Sequence, residues 1–328
     1  MWVQVEFADL PCQVDNFLGN NQFCSQSAFD LVVQRFLMDR MVSYEEKNRV
    51  LRVLLKRPGI IASLGVHDAF SALMAEQAGF EMLFLGGFGA SASRLGLPDL
   101  NFLNLTDMET AVGQISGVLR VPLIVDADTG HGGLPQVRHT VRRLASAGAS
   151  GILLEDQVFP KRCGHFRQKQ VIPADEMRAK LEVAMEARPD QDFVIIARTD
   201  ARAVHGLEDA IDRVNVYCQD GADVAFIEAP ESRDELLKVA QRVRYPLFAN
   251  MLVGGKTPIV PVQDLEAMGY KFAVSPIETL MVCGDAMRSM MSVFRKEGRL
   301  DHHLLGKMSF EEIKDLLKLD QWSSGNHA

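Results

Sequence analysis

From about residue 58 onward, short apolar runs alternate with amphipathic stretches. The runs predict strands at Ile60–Ser63, Met82–Leu85, Leu123–Asp126, Gly151–Glu155, Phe193–Arg198, Val224–Glu228, Leu247–Asn250 and Phe272–Ser275. Each is too short for a helix and nearly continuous in apolar residues, as expected of strands covered on both faces. Between them, apolar positions recur at helical spacing over His67–Ala78, Leu134–Ala147, Ala174–Ala187, Leu207–Gln219 and Arg233–Arg244, several followed by a glycine or proline stop. Strict alternation demands parallel strands. Eight such units over roughly 220 residues fit an α/β fold of the (β/α)8 TIM-barrel type better than an open sheet.

The ends of the chain depart from this rhythm. Ser27–Leu37 and Tyr44–Leu55 each carry a helical pattern, so residues 1–57 are expected to form a partly helical N-terminal extension, residues 58–297 the catalytic barrel and residues 298–328 a helical tail. Ile277–Lys296 is one long helical pattern bearing Met281, Met287, Met290, Met291 and Phe294, and Phe310–Leu319 is a shorter one. A methionine-rich face of this kind packs into a core or onto another subunit.

Composition removes several classes of function. With 328 residues, 47% of them hydrophobic, the chain has ample material for a full core. A net charge of -8 without any basic block argues against nucleic acid as a partner, so an anionic substrate must be held by local cations. Cys12, Cys24, Cys163, Cys218 and Cys283 are odd in number, widely spaced and free of any Cys-x-x-Cys pair; neither a disulfide framework nor a zinc cage is indicated, and a reducing cytoplasm is the expected location. No apolar run reaches membrane-spanning length, and Glu6 and Asp9 stand where a signal peptide would be basic.

The chemistry gathers at the strand ends. Asp126, Glu155, Arg198, Glu228 and Asn250 each end a different predicted strand, the rim at which barrels of this type place their active sites. Asp126 and Asp128 flank one residue ahead of Gly130, Gly132 and Gly133; a hydrated turn would use the same pair, but with Glu155 ending the next strand the set suits a hard cation such as Mg²⁺ or Mn²⁺. After Glu155 comes Lys161-Arg162-Cys163-Gly164-His165, which sets a thiol between cationic neighbours, a pattern suited to proton transfer or nucleophilic attack. The glycines at 164 and 130–133 predict a lid that excludes water.

Three other readings compete. Gly87-x-Gly89-x-x-Ala92 after a strand imitates the dinucleotide fingerprint, but Leu97-Pro98-Asp99 follows where that motif needs its helix. Gly255-Lys256-Thr257 imitates a phosphate-binding loop, but Asn250 stands where its first glycine belongs. A catalytically inactive scaffold would have no use for the clustered carboxylates and thiol.

With these residues in place, the chain resembles the isocitrate lyase and phosphoenolpyruvate mutase superfamily. The matching segments are Leu95-Gly96-Leu97-Pro98-Asp99, Asp126-Ala127-Asp128-Thr129-Gly130, Glu155-Asp156-Gln157 with Lys161 to His165, Ala197-Arg198-Thr199-Asp200-Ala201, and Asn250-Met251 with Gly255-Lys256-Thr257-Pro258; together they span Pro58 to at least Arg295. The resemblance implies a barrel whose eighth helix is exchanged between subunits, in a homotetramer built as a dimer of dimers. It also implies that Asp126 binds Mg²⁺, with Asp99, Asp128 and Glu155 holding its water shell. Arg198 is then expected to bind a substrate carboxylate or keto oxygen, Glu228 and Asn250 to line the pocket with Gly86, Gly87, Phe88 and Thr257, and Lys161 and His165 to close over the substrate with Cys163.

The Lys-Arg-Cys-Gly-His loop marks the carbon–carbon lyase branch of that superfamily. The implied reaction is Mg²⁺-dependent cleavage of a 2-hydroxy di- or tricarboxylate, either 2,3-dimethylmalate or another 2-alkylmalate, or 2-methylisocitrate, to a 2-keto acid such as pyruvate plus a carboxylate. Hydrolysis of oxaloacetate to oxalate and acetate is the alternative, ahead of a phosphonomutase-type or non-catalytic member. Phe88 stands where methylisocitrate-cleaving members carry glycine, which favours a smaller 2-substituted malate. Gly86 replaces a serine that commonly touches substrate, a loss of about 1 kcal/mol that a backbone N–H can offset. Glu278 stands where a small hydroxyl residue is usual, bringing an extra carboxylate toward the pocket.

Overall fold

The computed structural model describes residues 42–162, 164 and 168–323. Cys163, His165 and the predicted helix Ser27–Leu37 lie outside them. Eight parallel strands, β1 (Ile61–Leu64), β2 (Leu83–Leu85), β3 (Leu123–Asp126), β4 (Gly151–Glu155), β5 (Val194–Thr199), β6 (Val224–Ile227), β7 (Leu247–Asn250) and β8 (Phe272–Ser275), follow one another around a single sheet. β1 pairs with β8, and the ring is completed where Gly65 bridges Phe84, with the Val66 N–H donating to the Phe84 carbonyl at 2.8 Å. The fold is thus a (β/α)8 barrel, its strands within a residue or so of the predicted ones. A Cβ on Gly65 would lie 1.7 Å from the Pro276 carbonyl oxygen, so only glycine fits where the first and last units meet.

The described helices alternate with the strands: α1 (Tyr44–Lys56), α2 (Ala69–Gln77), α3 (Gly87–Leu95), α4 (Leu105–Ser116), α5 (Leu134–Ser146), α6 (Ala174–Ala187), α7 (Leu207–Gln219), α8 (Arg233–Arg242), α9 (Val262–Met268), α10 (Glu278–Glu297), α11 (Phe310–Leu316) and α12 (Leu319–Ser323). Helix α3 corrects the argument made against a dinucleotide site, because a helix does follow β2. What excludes that site is the barrel, in which the described strands run in sequence around one ring with no point at which strand order reverses. The helix predicted over Phe310–Leu319 is two short helices, divided at Lys318, whose φ of 54° is left-handed.

Barrel interior and site floor are one construction. Phe84, Phe226, Phe248 and Phe272 meet inside the ring, with Phe226 and Phe248 ring centroids 4.8 Å apart. Leu51 and Leu54 of α1 are fully buried in the same core. Arg52 fastens α1 to the strand-start end of the barrel through Asp223 at 2.5 Å and the Phe193 carbonyl at 3.1 Å. Helix α1 therefore covers the end opposite the strand termini, and the polar residues collect at the other rim. Among the described residues no helix is long and apolar enough to cross a membrane.

Helix α10 differs from the others. It runs 20 residues and stops at Gly298 in a left-handed conformation, yet it buries none of its side chains within this chain. Met281, Met287, Met291 and Phe294 are each about half exposed.

Candidate active site

The strand ends deliver two charge clusters side by side. In the first, Asp126 closes β3, and its carboxylate accepts the Asp128 N–H at 3.0 Å and the Gly87 N–H at 3.4 Å. Asp128 has a φ of 50°, a turn that aspartate tolerates better than most residues and that folds its carboxylate back beside Asp126. Lys161 enters from the loop after β4, its Nζ 2.7 Å and 2.8 Å from the two carboxylate oxygens of Asp99 and 2.8 Å from Asp128. All of these side chains are buried. Burial, reinforced by Asp126 and Asp99, pushes the Asp128 carboxyl up to about 7 against the pull of Lys161. Burial alone would lower Lys161, but Asp128, Asp126, Asp99 and Glu155 hold it well above its ordinary value, so it is a fixed cation.

The second cluster surrounds Arg198, the penultimate residue of β5. Its Nε lies 3.2 Å from Glu155 and 2.9 Å from Asp200, and one terminal nitrogen lies 3.1 Å from Glu228. Its guanidinium carbon is 5.4 Å from the Phe226 ring centroid, so the aromatic core forms the floor beneath it. Burial drives Glu155 well above the usual carboxylate range despite Arg198. Asp200 goes the other way: although burial opposes it, Arg198 and Lys169 hold it well below that range.

Gly164 joins the clusters. A Cβ there would stand 2.3 Å from an Arg198 nitrogen and 2.6 Å from the Glu228 side chain, so the backbone of the loop that begins at Lys161 lies directly on the arginine. The remaining predicted pocket residues surround this rim. Gly86 caps α3, Gly87 faces Lys161, Asp128 and Asp99, and Phe88 beside it is half-buried. Asn250 and Thr257 line a small cavity of about 10 Å³ with Phe226, Phe248 and Met251. Asn250 Oδ1 and Thr257 Oγ1 are buried there without a hydrogen-bond partner among the described residues. Glu278 does not enter the pocket as an extra charge: its carboxylate accepts the Val253 N–H at 2.8 Å and the Ile277 N–H at 3.1 Å, tying the loop after β7 to the first turn of α10.

Four residues at this rim had been given no role from sequence. Asp156, fully buried, accepts from Thr199 Oγ1 at 2.6 Å, the Asp200 N–H at 3.0 Å, Tyr217 at 3.1 Å and Arg213 at 3.1 Å, and so braces the turn that carries Asp200. Asp200 in turn grips Arg198, and Lys169 pairs with Asp200 as well. Asp156 and Asp200 had a legible signal, each being an acidic residue just past a strand end. Lys169 and Arg213 had none.

The fit of a divalent cation is a question of donors. Among the described residues no three His, Cys, Asp or Glu side chains are drawn together as a closed metal cage. The carboxylates of Asp99, Asp126, Asp128 and Glu155 surround the Lys161 ammonium more loosely, and Glu155 Oε1 is buried without a hydrogen-bond partner among the described residues. An all-oxygen set with an unused buried acceptor fits Mg²⁺, which takes one or two carboxylates and keeps its waters.

Comparison with known proteins places this architecture. The family model for phosphoenolpyruvate phosphomutase matches residues 51–295. The chain belongs to the phosphoenolpyruvate mutase and isocitrate lyase superfamily. Within it, the chain is 41% identical over 273 residues to carboxyvinyl-carboxyphosphonate phosphorylmutase of Arabidopsis thaliana, covering 82% of this chain and 80% of that one. It is 40% identical to the petal death protein of Dianthus caryophyllus (82% and 85% covered) and 41% identical to 2-methylisocitrate lyase of Aeropyrum pernix (77% and 82% covered). Among solved structures, a 2,3-dimethylmalate lyase superposes with a TM-score of 0.80 at 33% identity, covering 87% of this chain and 95% of that one. An oxaloacetate acetylhydrolase bound to 3,3-difluorooxalacetate gives 0.79 at 32% identity (86% and 99% covered), and a phosphonopyruvate hydrolase complexed with oxalate and Mg²⁺ gives 0.77 at 28% (87% and 98% covered). The chain is an enzyme of this superfamily, a carbon–carbon lyase.

Proposed function

We propose that the enzyme cleaves a 2-alkylmalate into a 2-keto acid and a saturated carboxylate, with 2,3-dimethylmalate, which gives pyruvate, the representative substrate. The observation that carries this reading is the burial of Arg198 and Lys161 among carboxylates at one barrel rim, where an oxyacid can be gripped by fixed positive charge. Arg198 binds a carboxylate or the developing keto oxygen; held by Glu155, Asp200 and Glu228 over the Phe226 ring, it needs little reorganisation. Lys161 offsets the acidic cluster so that an anion can approach. Asn250 at the end of β7 and Thr257 in the loop after it carry unused polar atoms that a substrate could engage. Half-buried Phe88 leaves less room than glycine for the additional carboxymethyl arm of 2-methylisocitrate.

Asp126 would hold Mg²⁺, with Asp99, Asp128 and Glu155 receiving its water hydrogens; bound there, the ion supplies Lewis-acid stabilisation of the 2-keto-acid half. As the substrate hydroxyl passes its proton to a carboxylate of the rim, a carbonyl forms, the adjacent carbon–carbon bond breaks, and its electron pair passes to the enediolate of the departing carboxylate. The Cys163 thiol then gives a proton to that carbon, and the rim carboxylate's proton restores the thiol once the products leave. A thiol with an ordinary value of about 8.5 carries the necessary proton at neutral pH.

The reading extends to the location and the assembly. We place the enzyme in the cytoplasm as a homotetramer of helix-exchanged dimers, with a second copy covering the apolar face of α10.

The deciding experiment incubates the protein and Mg²⁺ with 2,3-dimethylmalate, other 2-alkylmalates, 2-methylisocitrate, isocitrate and oxaloacetate, and measures pyruvate and other 2-keto acids, glyoxylate, oxalate and acetate. Pyruvate released fastest from a 2-alkylmalate, and lost in Cys163→Ser, is the expected result. Oxalate and acetate from oxaloacetate would replace the lyase reading with the hydrolase one. Turnover of no substrate in the panel would end both.

A further inference from the structure

Lys169 lies outside every motif that pointed to the active site, yet its side chain is almost wholly buried and its ammonium has two partners. One is the Gly164 carbonyl at 2.5 Å; the other is the Asp200 carboxylate. Asp200 also accepts Arg198 Nε at 2.9 Å and an Arg198 terminal nitrogen at 3.3 Å. The Gly164 backbone is itself packed on that same arginine and on Glu228. Lys169 therefore closes a ring that runs from loop backbone to lysine, aspartate, arginine and back to the loop.

We infer that Lys169 is a positioning residue for the reaction, fixing the Gly164 backbone against Arg198 and balancing the charge of Asp200 so that Arg198 stays available to an anionic substrate. This rests on the role proposed above for Arg198. Charge makes the need concrete. Arg198 alone contacts Glu155, Asp200 and Glu228, more acidic groups than one cation balances. Lys169 supplies a second buried cation on Asp200, and its other partner is the loop backbone at Gly164. Asp156 completes the support by accepting the Asp200 N–H, which leaves the Asp200 carboxylate free to bridge the two cations. An apolar side chain at 169 would leave the Gly164 carbonyl and Asp200 short of a donor inside the protein, a change that acts on geometry and charge together.

Lys169→Met and Lys169→Arg separate these effects from simple loss of folding. In Lys169→Met, kcat/KM for the preferred 2-alkylmalate should fall by about 100-fold, with Lys169→Arg recovering to within about fivefold of the parent. Trypsin cleavage after the exposed Arg162, followed by peptide mapping, should be at least about tenfold faster in Lys169→Met and near normal in Lys169→Arg. Should Lys169→Met prove too unstable to purify, Lys169→Gln, which keeps a donor for the Gly164 carbonyl without the charge, is expected to preserve the slow cleavage but not the kcat/KM. A neutral variant with parental kcat/KM and parental cleavage overturns the inference, as does an arginine variant no better than the methionine one. If the parent enzyme turns over no 2-hydroxy acid at all, the functional proposal fails while the proteolysis comparison still decides whether Lys169 holds the loop.

Discussion

Lys161 places its ammonium 2.7 Å and 2.8 Å from the two oxygens of the Asp99 carboxylate, and 2.8 Å from Asp128, at a depth where none of the three is exposed to solvent. The lysine is the counterion of an acidic cluster that we assign to Mg²⁺. Replacing it with methionine should leave Asp99 and Asp128 uncompensated and destabilise the metal-free protein by on the order of 3–5 kcal/mol, with part of the loss restored by Mg²⁺. Melting curves with and without the ion test this, and a Lys161→Met protein as stable as the parent in chelator would refute it.

Phe88 offers a test of specificity. Phe88→Gly should raise kcat/KM for 2-methylisocitrate relative to 2,3-dimethylmalate by roughly 10- to 100-fold, because the space released accommodates a longer arm. Competition between the two substrates in one reaction reads that ratio directly. No change would mean that another wall of the pocket sets substrate size.

Two lysines far from the catalytic rim predict a pH dependence of stability. Burial lowers Lys47 to about 8 and Lys271 to about 8, from an ordinary 10.5. Between those values the unfolded chain holds protons that the folded chain has released, so stability should rise as pH increases from about 8 to about 10.5, and fall as pH drops back through 8. Lys47→Met should flatten this slope, though at some cost, since Lys47 donates to the Ser116 carbonyl at 2.7 Å. Urea unfolding at stepped pH measures the slope; an equal slope in the variant would remove Lys47 as its source.

The exposed face of α10 predicts the state of assembly. Met287→Glu combined with Phe294→Glu should lower the mass measured by light scattering from that of a tetramer toward smaller species, since both side chains stand about half exposed on a helix that buries nothing in its own chain. A parental protein that is already monomeric would remove the proposed helix exchange.

The strands were legible in the sequence because each is a nearly unbroken apolar run, and in five of them the run is closed by a polar residue, Asp126, Glu155, Arg198, Glu228 or Asn250, that reaches the rim. Helix α3 was not, for a local reason. Gly87-Phe88-Gly89-Ala90-Ser91-Ala92-Ser93 has poor helix propensity and no apolar period, and it is helical because its small residues Gly87, Gly89, Ala90 and Ser91 pack closely against the barrel. Lys169 was hidden for a different one: its burial is created by Asp200, 31 residues further along, and no local pattern distinguishes such a lysine from one in solvent. Glu278 looked like a misplaced charge until the Val253 and Ile277 N–H groups were seen to occupy it.

The closure at Gly65 sets a limit on how far this enzyme can drift. A single methyl group there would collide with Pro276 and prise apart the junction on which the circular sheet depends. Loops at the rim are free to acquire new chemistry, whereas this one position, just past the end of β1, must stay bare for the scaffold to remain a cylinder.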